Sequence, residues 1–534
     1  MNFPRVVLGL LFTFVGMSCG SPAAGSDDGG RDAGPLADAG PGAGNDAGPD
    51  AGPMPSDGGP DAGPLSDGGS LPRLAVARTT AIPACTVYVD GAVTGTPAGT
   101  VSNPYRTIAA AIAAASNGAV ICVAQGTYAE TLMPGEKYFT LAGGFQSMKA
   151  FAVRDSSLYV SKGKGNGTGS FISIVDPGPT MNQLTAIDGF ELTGYSQAIF
   201  RDVYYSQRFD LTNNFIHDNT CSAATMIGGG FSLNNVNGAI RGNVFAKNKC
   251  SRGGAGALGD STNLNTVTIE NNLIDGNAGT EPGDSHGGGL YLFSQALVIT
   301  GNTFINNTVT GWGAGLYVGA YTSGGQTTKA TLSWNVYRDN RAGNMGGGFF
   351  CDDSANCASD HEVYEKNCGG NIFLDCGPDG SDPTIATFDH LTNTYALNET
   401  CSAAGPGVII NKANTASDAY SFKNAIFWGN ATGQDFNASC SAGCANVSVA
   451  VTYSDVQTTY ANGGITVSFG AGNVASVDPK FVNAPQHDFH LSSTKGHWTP
   501  TGFVNDSVDS PVLGAGAGGS ELGAYGNSAE ASKR

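Results

Sequence analysis

The chain has 534 residues, of which 79 are Gly and 13% are charged, and its formal net charge is −18. This acidic balance argues against nucleic acid as a partner, because nucleic-acid binding rewards Lys and Arg. After residue 18, no apolar run approaches the roughly 20 residues that a membrane-spanning helix needs.

Residues 1–18 have the pattern of an export signal. Arg5 gives the positive end, a short apolar core follows, and small residues precede Cys19. The cysteine in this place resembles a bacterial lipobox, although Gly16 stands where Leu or Val is usual. The resemblance implies that Cys19 becomes the lipid-carrying N-terminus, and Gly20 implies delivery to the outer membrane. The alternative is an ordinary secretory signal with an incidental cysteine.

Residues 20–72 are of low complexity and repeat the tetrapeptides DAGP and DGGP. They contain nine Asp and one Arg. Such a segment buries almost nothing and is predicted to be disordered. Charge repulsion and Pro extend it, up to about 3.1 Å per residue. We therefore interpret residues 19–83 as a lipid-anchor cysteine and a stalk that lifts a folded domain, residues 84–534, off a membrane. The alternative is a tail that binds cations.

The folded domain opens with a predicted helix. Asn103 is a candidate N-cap with Pro104 at the first helical position, and the Ala-rich run 105–116 follows. Short apolar strands come next, within AVICVA and YFTLAGGF. This order resembles the opening of bacterial β-helix proteins, in which a helix plugs the open end of the stack. The resemblance implies an N-terminal cap over residues 84–145.

A six-residue phrase then recurs with a period of 27–33 residues: Asn, any residue, an apolar residue, two more residues, Asn. It reads NFIHDN, NVFAKN, NLIDGN, NTFINN, NVYRDN and EVYEKN, from Asn214, Asn243, Asn272, Asn302, Asn335 and Glu362. Between copies stands a glycine cluster with an apolar run, such as GGGLYL. The apolar pieces are too short for helices, and a propeller blade needs more strands per repeat. The pattern favours a parallel β-helix with one coil per repeat and Asn stacked at the corners.

These paired phrases resemble the repeats of polymorphic outer membrane proteins and the wider pectin-lyase-like group. The resemblance implies an all-β fold, a right-handed single-stranded parallel β-helix with an N-terminal capping helix, whose core coils span residues 146–475. DPKFV, SPVLGAG and ELGAYG, within residues 476–534, resemble the closing segment that finishes the last coils of such proteins. The group includes lyases, hydrolases and adhesins, so the resemblance does not fix an activity.

The eleven cysteines after Cys19 suit an oxidising compartment. Cys221 and Cys250 each follow a repeat Asn by two residues, which places them at one corner of adjacent coils, about 4.8 Å apart and within disulfide range. Cys85 and Cys122 are candidates for a bridge near the cap. Seven more cysteines form two clusters, and their spacing does not favour a zinc site.

Candidate chemistry is sparse. Aligning GGGFFCD with GGNIFLD places Asp352 and Asp375 at one position of successive coils, and with Asp353 they form a candidate Ca²⁺ site. The alternative is solvated acids at a turn. His217, His286, His361 and His390 share no phase and are predicted to be surface residues. The aromatic residues that follow the glycine clusters, Tyr291, Tyr317 and Phe350, are predicted to fill a core, with an exposed sugar-stacking ladder as the alternative.

Two functions remain open. The first is a non-enzymatic, lipid-anchored, monomeric surface protein that takes part in adhesion or binds envelope or extracellular polysaccharide. The second is a polysaccharide lyase or glycoside hydrolase. The adjacent aspartates at 352 and 353 resemble those of polygalacturonase-type hydrolases, but the NTD and RIK motifs of that family are missing. No cofactor other than Ca²⁺ is expected.

Overall fold

A computed structural model describes residues 78–175, 183–203, 205–259, 265–282, 285–293, 296–319, 328–352, 355–376, 386–399, 407–412, 417–431, 434–440, 446–458, 460–499 and 502–525. All of them belong to one compact unit, Gly58–Arg534. The predicted export signal, Cys19 and the low-complexity segment 20–72 lie outside the described residues.

The unit is a parallel β-solenoid. Each coil contributes one strand to each of three long sheets, as Val236–Arg241, Val244–Ala246 and Gly256–Gly259 do. Successive coils pair in register and in parallel, with Ile240 opposite Ile269 and Phe245 opposite Ile274. The predicted architecture of one coil per repeat is confirmed.

Three sheets run along the stack, and a fourth fills one corner. The strands of sheet 1 are Val87–Val89, Ala119–Ala124, Phe139–Phe145, Leu184–Asp188, Gln207–Thr212, Val236–Arg241, Thr266–Glu270, Ala296–Thr300, Thr328–Ser333, Ala355–Asp360, Ala386–Leu391, Asp418–Lys423, Val447–Thr452 and Val467–Phe469. Those of sheet 2 are Gly126–Tyr128, Ser161–Lys164, Phe190–Thr193, Phe215–His217, Val244–Ala246, Leu273–Asp275, Thr303–Ile305, Val336–Arg338, Val363–Glu365, Thr394–Ala396, Ile426–Trp428, Asp455–Val456 and Val474–Ala475. Those of sheet 3 are Ile172–Val175, Ile199–Asp202, Phe231–Asn234, Gly256–Gly259, Leu290–Phe293, Leu316–Gly319, Phe349–Cys351, Ile372–Cys376, Val408–Lys412, Phe436–Cys440 and Ala461–Gly463. Those of sheet 4 are Lys249–Cys250, Ala278–Gly279, Thr308–Val309 and Arg341–Ala342.

One continuous core fills the interior, because alternate side chains of every strand point inward. Aromatic rings stack along it from coil to coil at centroid separations of 4.5–5.2 Å. The stacked residues are Phe304, Tyr337, Tyr364, Tyr395 and Phe427.

Buried amides form two ladders at the corners that flank sheet 2. In a typical rung, Asn277 Oδ1 accepts from Asn248 N and Nδ2 at 2.9 and 3.1 Å, and Asn277 Nδ2 donates to Phe245 O at 3.0 Å. The first ladder is Asn214, Asn243, Asn272, Asn302, Asn335, Glu362 and Asn393. The second is Asn219, Asn248, Asn277, Asn307, Asn340, Asn367, Asn398 and Asn430. The ladders satisfy corner backbone groups that water cannot reach.

The N-terminal helix is shorter than predicted. It spans Ile108–Ala114 and begins at Thr107, whose side chain accepts from Ala110 N. The predicted start at Asn103 is wrong, because Tyr105 pairs with strand Val87–Val89 before the helix begins. The Glu130 carboxylate accepts from the first two helical N–H groups, at 2.9 and 2.8 Å. The helix packs its apolar face into the core beside the first strands of sheet 1.

Residues 476–525, which we call the closing segment, do not extend the stack with further parallel strands. They form two antiparallel hairpins, Phe481–Asn483 with Asp488–Leu491 and His497–Thr499 with Gly502–Val504. A short 3₁₀ helix, Ala484–Gln486, lies in the turn of the first hairpin, and another, Ala517–Gly519, follows the second hairpin. The segment packs on the outer face of sheet 2, where Val363 and Ile426 are buried against it.

Candidate functional site

The structure contains the cysteine bridge that the repeat phase predicts. Cys221 and Cys250 form a disulfide between adjacent coils, with their Cα atoms 4.9 Å apart. Cys85 and Cys122 are also bridged, next to the cap. A third bridge joins two cysteines six residues apart, Cys351–Cys357. Cys368 and Cys440 each take part in a further disulfide bond.

The candidate Ca²⁺ residues are only partly described. Cys351 pairs with Leu374, so Asp352 and Asp375 follow at equivalent positions of neighbouring coils, as the alignment predicts. The Tyr317 hydroxyl donates to Asp352 Oδ2. Asp353 lies outside the described residues, and of Asp375 only the backbone pairing with Asn411 is described. The Ca²⁺ site at Asp352, Asp353 and Asp375 stays a prediction.

The aromatic residues of sheet 3 form a second apolar cluster outside the main core. Tyr291, Tyr317 and Phe350 are only 4%, 4% and 2% exposed. His286 stacks on Trp312 with centroids 4.9 Å apart. These rings fill a core, as predicted, and they are not an exposed ladder for sugars.

Two of the four histidines expected at the surface are buried. His286 belongs to the apolar cluster just described, and His390 lies in the main core, fully buried. His390 is in register with Ser359, whose hydroxyl lies 2.7 Å from its Nδ1, and with Phe422, on which it stacks. Burial lowers the pKa of His390 to about 3, so it is neutral. The alternation of inward and outward side chains along strand Ala386–Leu391 could have predicted that His390 points into the core.

Glu362 takes the place of Asn in the first ladder and is fully buried. Its Oε1 accepts from Asn335 N and Nδ2 at 3.0 and 3.1 Å, and its N–H donates to Asn393 Oδ1 at 2.8 Å. Burial raises the pKa of Glu362 well above its usual range, and the bonds from Asn335 oppose this only in part. The carboxyl is therefore held protonated and works as a ladder rung.

Charged side chains gather on the outer face of sheet 2. Asp275, Arg338 and Glu365 occupy one column of the sheet. Arg338 and Glu365 lie on adjacent coils, and one coil separates Asp275 from Arg338. The Glu365 carboxylate lies 2.7 Å from His487 Nδ1 in the closing segment and 3.4 Å from Lys366 Nζ. The Glu365 side chain is 1% exposed. The contact between Glu365 and His487 ties the closing segment to sheet 2, and it leaves the Glu365 carboxylate shielded from solvent.

From Asn213 to Tyr453, each coil turns from sheet 1 into sheet 2 through a residue with left-handed backbone. These residues, which we call the corner column, are Asn213, Gly242, Asn271, Gly301, Trp334, His361, Thr392, Asn424 and Tyr453. They are consecutive rungs, because each N–H donates to the next coil, as Gly301 N does to Ser333 O and Trp334 N to Asp360 O.

Trp334 and His361 stand out within the corner column. Their rings stack with centroids 3.7 Å apart, and both side chains are partly exposed. A bulky residue at φ +62°, the value of Trp334, strains the backbone by roughly 1–3 kcal/mol. Such strain concentrates at functional sites. The Asp360 side chain is 46% exposed and lies beside the pair, with its Oδ1 2.8 Å from His361 Nδ1, so the platform has a polar margin.

Within the described ranges, no group of three or more His, Cys, Asp or Glu side chains is arranged to hold a metal ion. The helices of the described chain include none that is both long and apolar enough to cross a membrane.

Residues 91–279 match the model of a family described as a protein of unknown function (DUF1565), and residues 458–516 match one described as disaggregatase related. Among solved structures, pectate lyase Pel9A aligns with 83% of this chain and 98% of its own, at 13% identity and a TM-score of 0.33. No curated protein matches. The parallel β-solenoid is established by the strand pairing itself.

Proposed function

We propose that this chain is a lipid-anchored protein of the outer membrane surface that binds envelope or extracellular polysaccharide as a monomer and without catalysis. The observation that carries the proposal is the stacked, partly exposed pair Trp334–His361 at a strained corner. A flat aromatic platform with a polar margin suits the apolar face and rim hydroxyls of a sugar ring.

Two of the described carboxyl groups serve the fold and are not available for catalysis. Glycoside hydrolysis needs two carboxyl groups that flank the scissile bond. Glu362 and Glu365 are buried, the first inside the core and the second beneath the closing segment. Both serve the fold, and neither is placed to touch a polymer.

The proposal is tested with the full-length chain on immobilised polysaccharides. Trp334→Asn removes the ring and keeps a residue type that occupies the same corner in other coils, so the fold is preserved. We expect its retention to fall about two- to tenfold, the value of one aromatic contact. Thr392→Asn, at the equivalent corner, is the matched control and should bind like wild type.

Unchanged retention of Trp334→Asn would overturn this site. Release of soluble sugar by the wild-type chain, measured on the same polysaccharides, would instead establish the lyase or hydrolase alternative.

A further inference from the structure

Apolar side chains point outward from the early coils of sheet 2. They alternate with core residues of the same strands and form a cluster of their own, which we call the outer strip. Its members are Phe215, Val244, Ala246, Leu273 and Ile305. Phe215 is partly buried, and the other four are only 0–5% exposed.

The burial of the outer strip requires a cover. Val298 occupies an outward position on sheet 1, between the core residues Leu297 and Ile299, and is 39% exposed. Within the described residues, the apolar neighbours of the strip are its own members. The described apolar contacts of the closing segment with the strands of sheet 2 lie on later coils, from Val336 to Trp428. The strip therefore needs a different cover.

The first described residues lie close to this face. Arg78 Nη2 donates to Asp155 Oδ2 at 2.7 Å. Thr79 lies against Gly189, because a Cβ on that glycine would be 3.2 Å from Thr79 Cγ2. Gly189 leads directly into the sheet 2 strand that pairs with the strand of Phe215. The residues before Arg78 therefore join the described chain at the edge of sheet 2, one coil before the outer strip.

The sequence before Arg78 offers an apolar segment of suitable length. Residues 71–77 read LPRLAVA, and Leu74 and Val76 are two positions apart, so they share one side of an extended chain. Four coil steps separate Gly189 from Ile305, roughly 19 Å at about 4.8 Å per coil. Seven extended residues span about 23 Å.

The other segments outside the described residues match the strip less well. Residues 20–70 carry nine Asp, and their only apolar side chains larger than Ala and Pro are Leu36, Met54 and Leu65. Residues 526–534 have no apolar side chain larger than Ala. Residues 1–18 are apolar, but an export signal is removed from the mature protein.

We propose that residues 71–77, the N-terminal strap, lie extended across the outer strip with Leu74 and Val76 turned toward it. The proposal extends the folded unit from residue 84, the start that the sequence predicts, back to Leu71. The stalk then joins the solenoid on the side of sheet 2, several coils beyond the cap helix. This does not depend on polysaccharide binding.

Trypsin tests the strap in the full-length chain, because Arg73 lies within it. A peptide with the sequence of residues 66–77 gives the rate of cleavage after Arg73 in a free segment. In the protein, the same cleavage should be at least about tenfold slower, since proteolysis follows the population of the undocked form. Val76→Ser should bring the rate toward that of the peptide. Leu65→Ser, outside the strap, is the matched control and should leave the rate unchanged.

A second pair of variants tests the strip itself. Leu273→Ser should speed cleavage after Arg73, and Val298→Ser, on the exposed face of sheet 1, should not. If Leu273→Ser disturbs the solenoid, the comparison of Val76→Ser with Leu65→Ser still decides, because both positions precede the first strand of the stack.

Cleavage of wild type after Arg73 at the rate of the peptide would overturn the strap, and so would protection that survives in Val76→Ser. Size exclusion separates the strap from a second copy of the chain as the cover. A wild-type dimer that Leu273→Ser converts to a monomer, with cleavage after Arg73 unaffected, would assign the strip to the second copy and overturn the strap.

Discussion

At the scale of single residues, the corner amides explain why the Asn-rich phrase repeats. Each ladder Asn satisfies a backbone N–H, the side chain of the preceding rung and a backbone carbonyl, all shielded from water. Loss of one partner leaves each of the others buried and unsatisfied, at about 1–3 kcal/mol apiece. A shorter or apolar side chain at this position cannot make all three of these contacts, which explains why Asn recurs.

Asn277→Ala should therefore lower the free energy of unfolding by about 2–5 kcal/mol. The matched control is Asn271→Gly, at an exposed corner of the same coil, which keeps the left-handed backbone and should change stability by no more than about 0.5 kcal/mol. Thermal melts of the two variants check this. Equal melting temperatures would show that the ladder carries no special stability.

Glu362 gives a pH dependence of known sign. Burial raises its folded-state pKa well above the ordinary value of 4.5. The protonated Glu362 contributes fully to the free energy of unfolding below pH 4.5. As the pH rises from 4.5 toward the folded-state pKa, this contribution falls by about 1.4 kcal/mol per pH unit. Glu362→Gln should therefore melt higher than wild type at pH 8, with a smaller difference at pH 4. A difference that does not change with pH would contradict a protonated Glu362.

At the scale of elements, the sequence predicts the coils well and their ends poorly. The inward apolar positions and the corner amides recur locally in each repeat. They therefore predict both the position of the strands and the register between neighbouring coils. NTYALN from Asn393 continues the repeated phrase and the ladder. The next coil keeps only Asn430 of the phrase. The sequence repeat is therefore lost after this point, although the coils continue in the structure. The docking of the closing segment depends on contacts with residues more than 90 positions away, such as Ala517 N to Asn424 Oδ1. No local pattern encodes such contacts.

The candidate site shows the same limit. Trp334 and His361 are 27 residues apart in the chain, and only the register of two coils stacks their rings. Neither residue belongs to the repeated phrase, because the corner column precedes it by one position. The alignment of glycine phrases predicts the position of Asp352, but no local pattern predicts its bond to Tyr317, which joins two different coils.

The Cys221–Cys250 bridge staples two coils across 29 residues. A loop of this length gives a stabilisation of about 3–4 kcal/mol from the lost entropy of the unfolded chain. Replacing both cysteines with Ser should lower the melting temperature, and non-reducing peptide mapping of wild type should recover the two peptides linked. Free thiols at both positions would contradict the bridge and the register.

The closing segment should be needed for solubility. It covers the apolar outer positions of sheet 2, among them Val363 and Ile426, and is tied down by His487 and by Ala524 N bonded to Thr394 Oγ1. Deleting residues 476–534 should expose this face, and exposed apolar patches promote association. Increased binding of an apolar dye and larger species on size exclusion are expected. A monomeric deletion variant without dye binding would show that the face tolerates water.

At the scale of the whole molecule, the two parts of the chain have opposite physical character. The solenoid buries a continuous core, whereas residues 20–72 carry nine Asp, one Arg and little apolar surface. From its composition, we expect this acidic, Pro-rich segment to be extended by its own charge repulsion. We propose that it serves as a spacer between the lipid anchor and the solenoid, so that long polymers can reach the Trp334 corner.

This arrangement requires an anchor at Cys19. A single acyl chain binds membranes only marginally, and stable anchoring takes more than one. We expect metabolic labelling with a fatty acid to mark wild type, and Cys19→Ser to lose the label and to appear in the soluble fraction. Cys221→Ser is the matched control, because it removes a cysteine from the solenoid and should keep the label. Equal labelling of wild type and Cys19→Ser would refute the anchor, and the surface proposal would then have to rest on secretion and sugar binding alone.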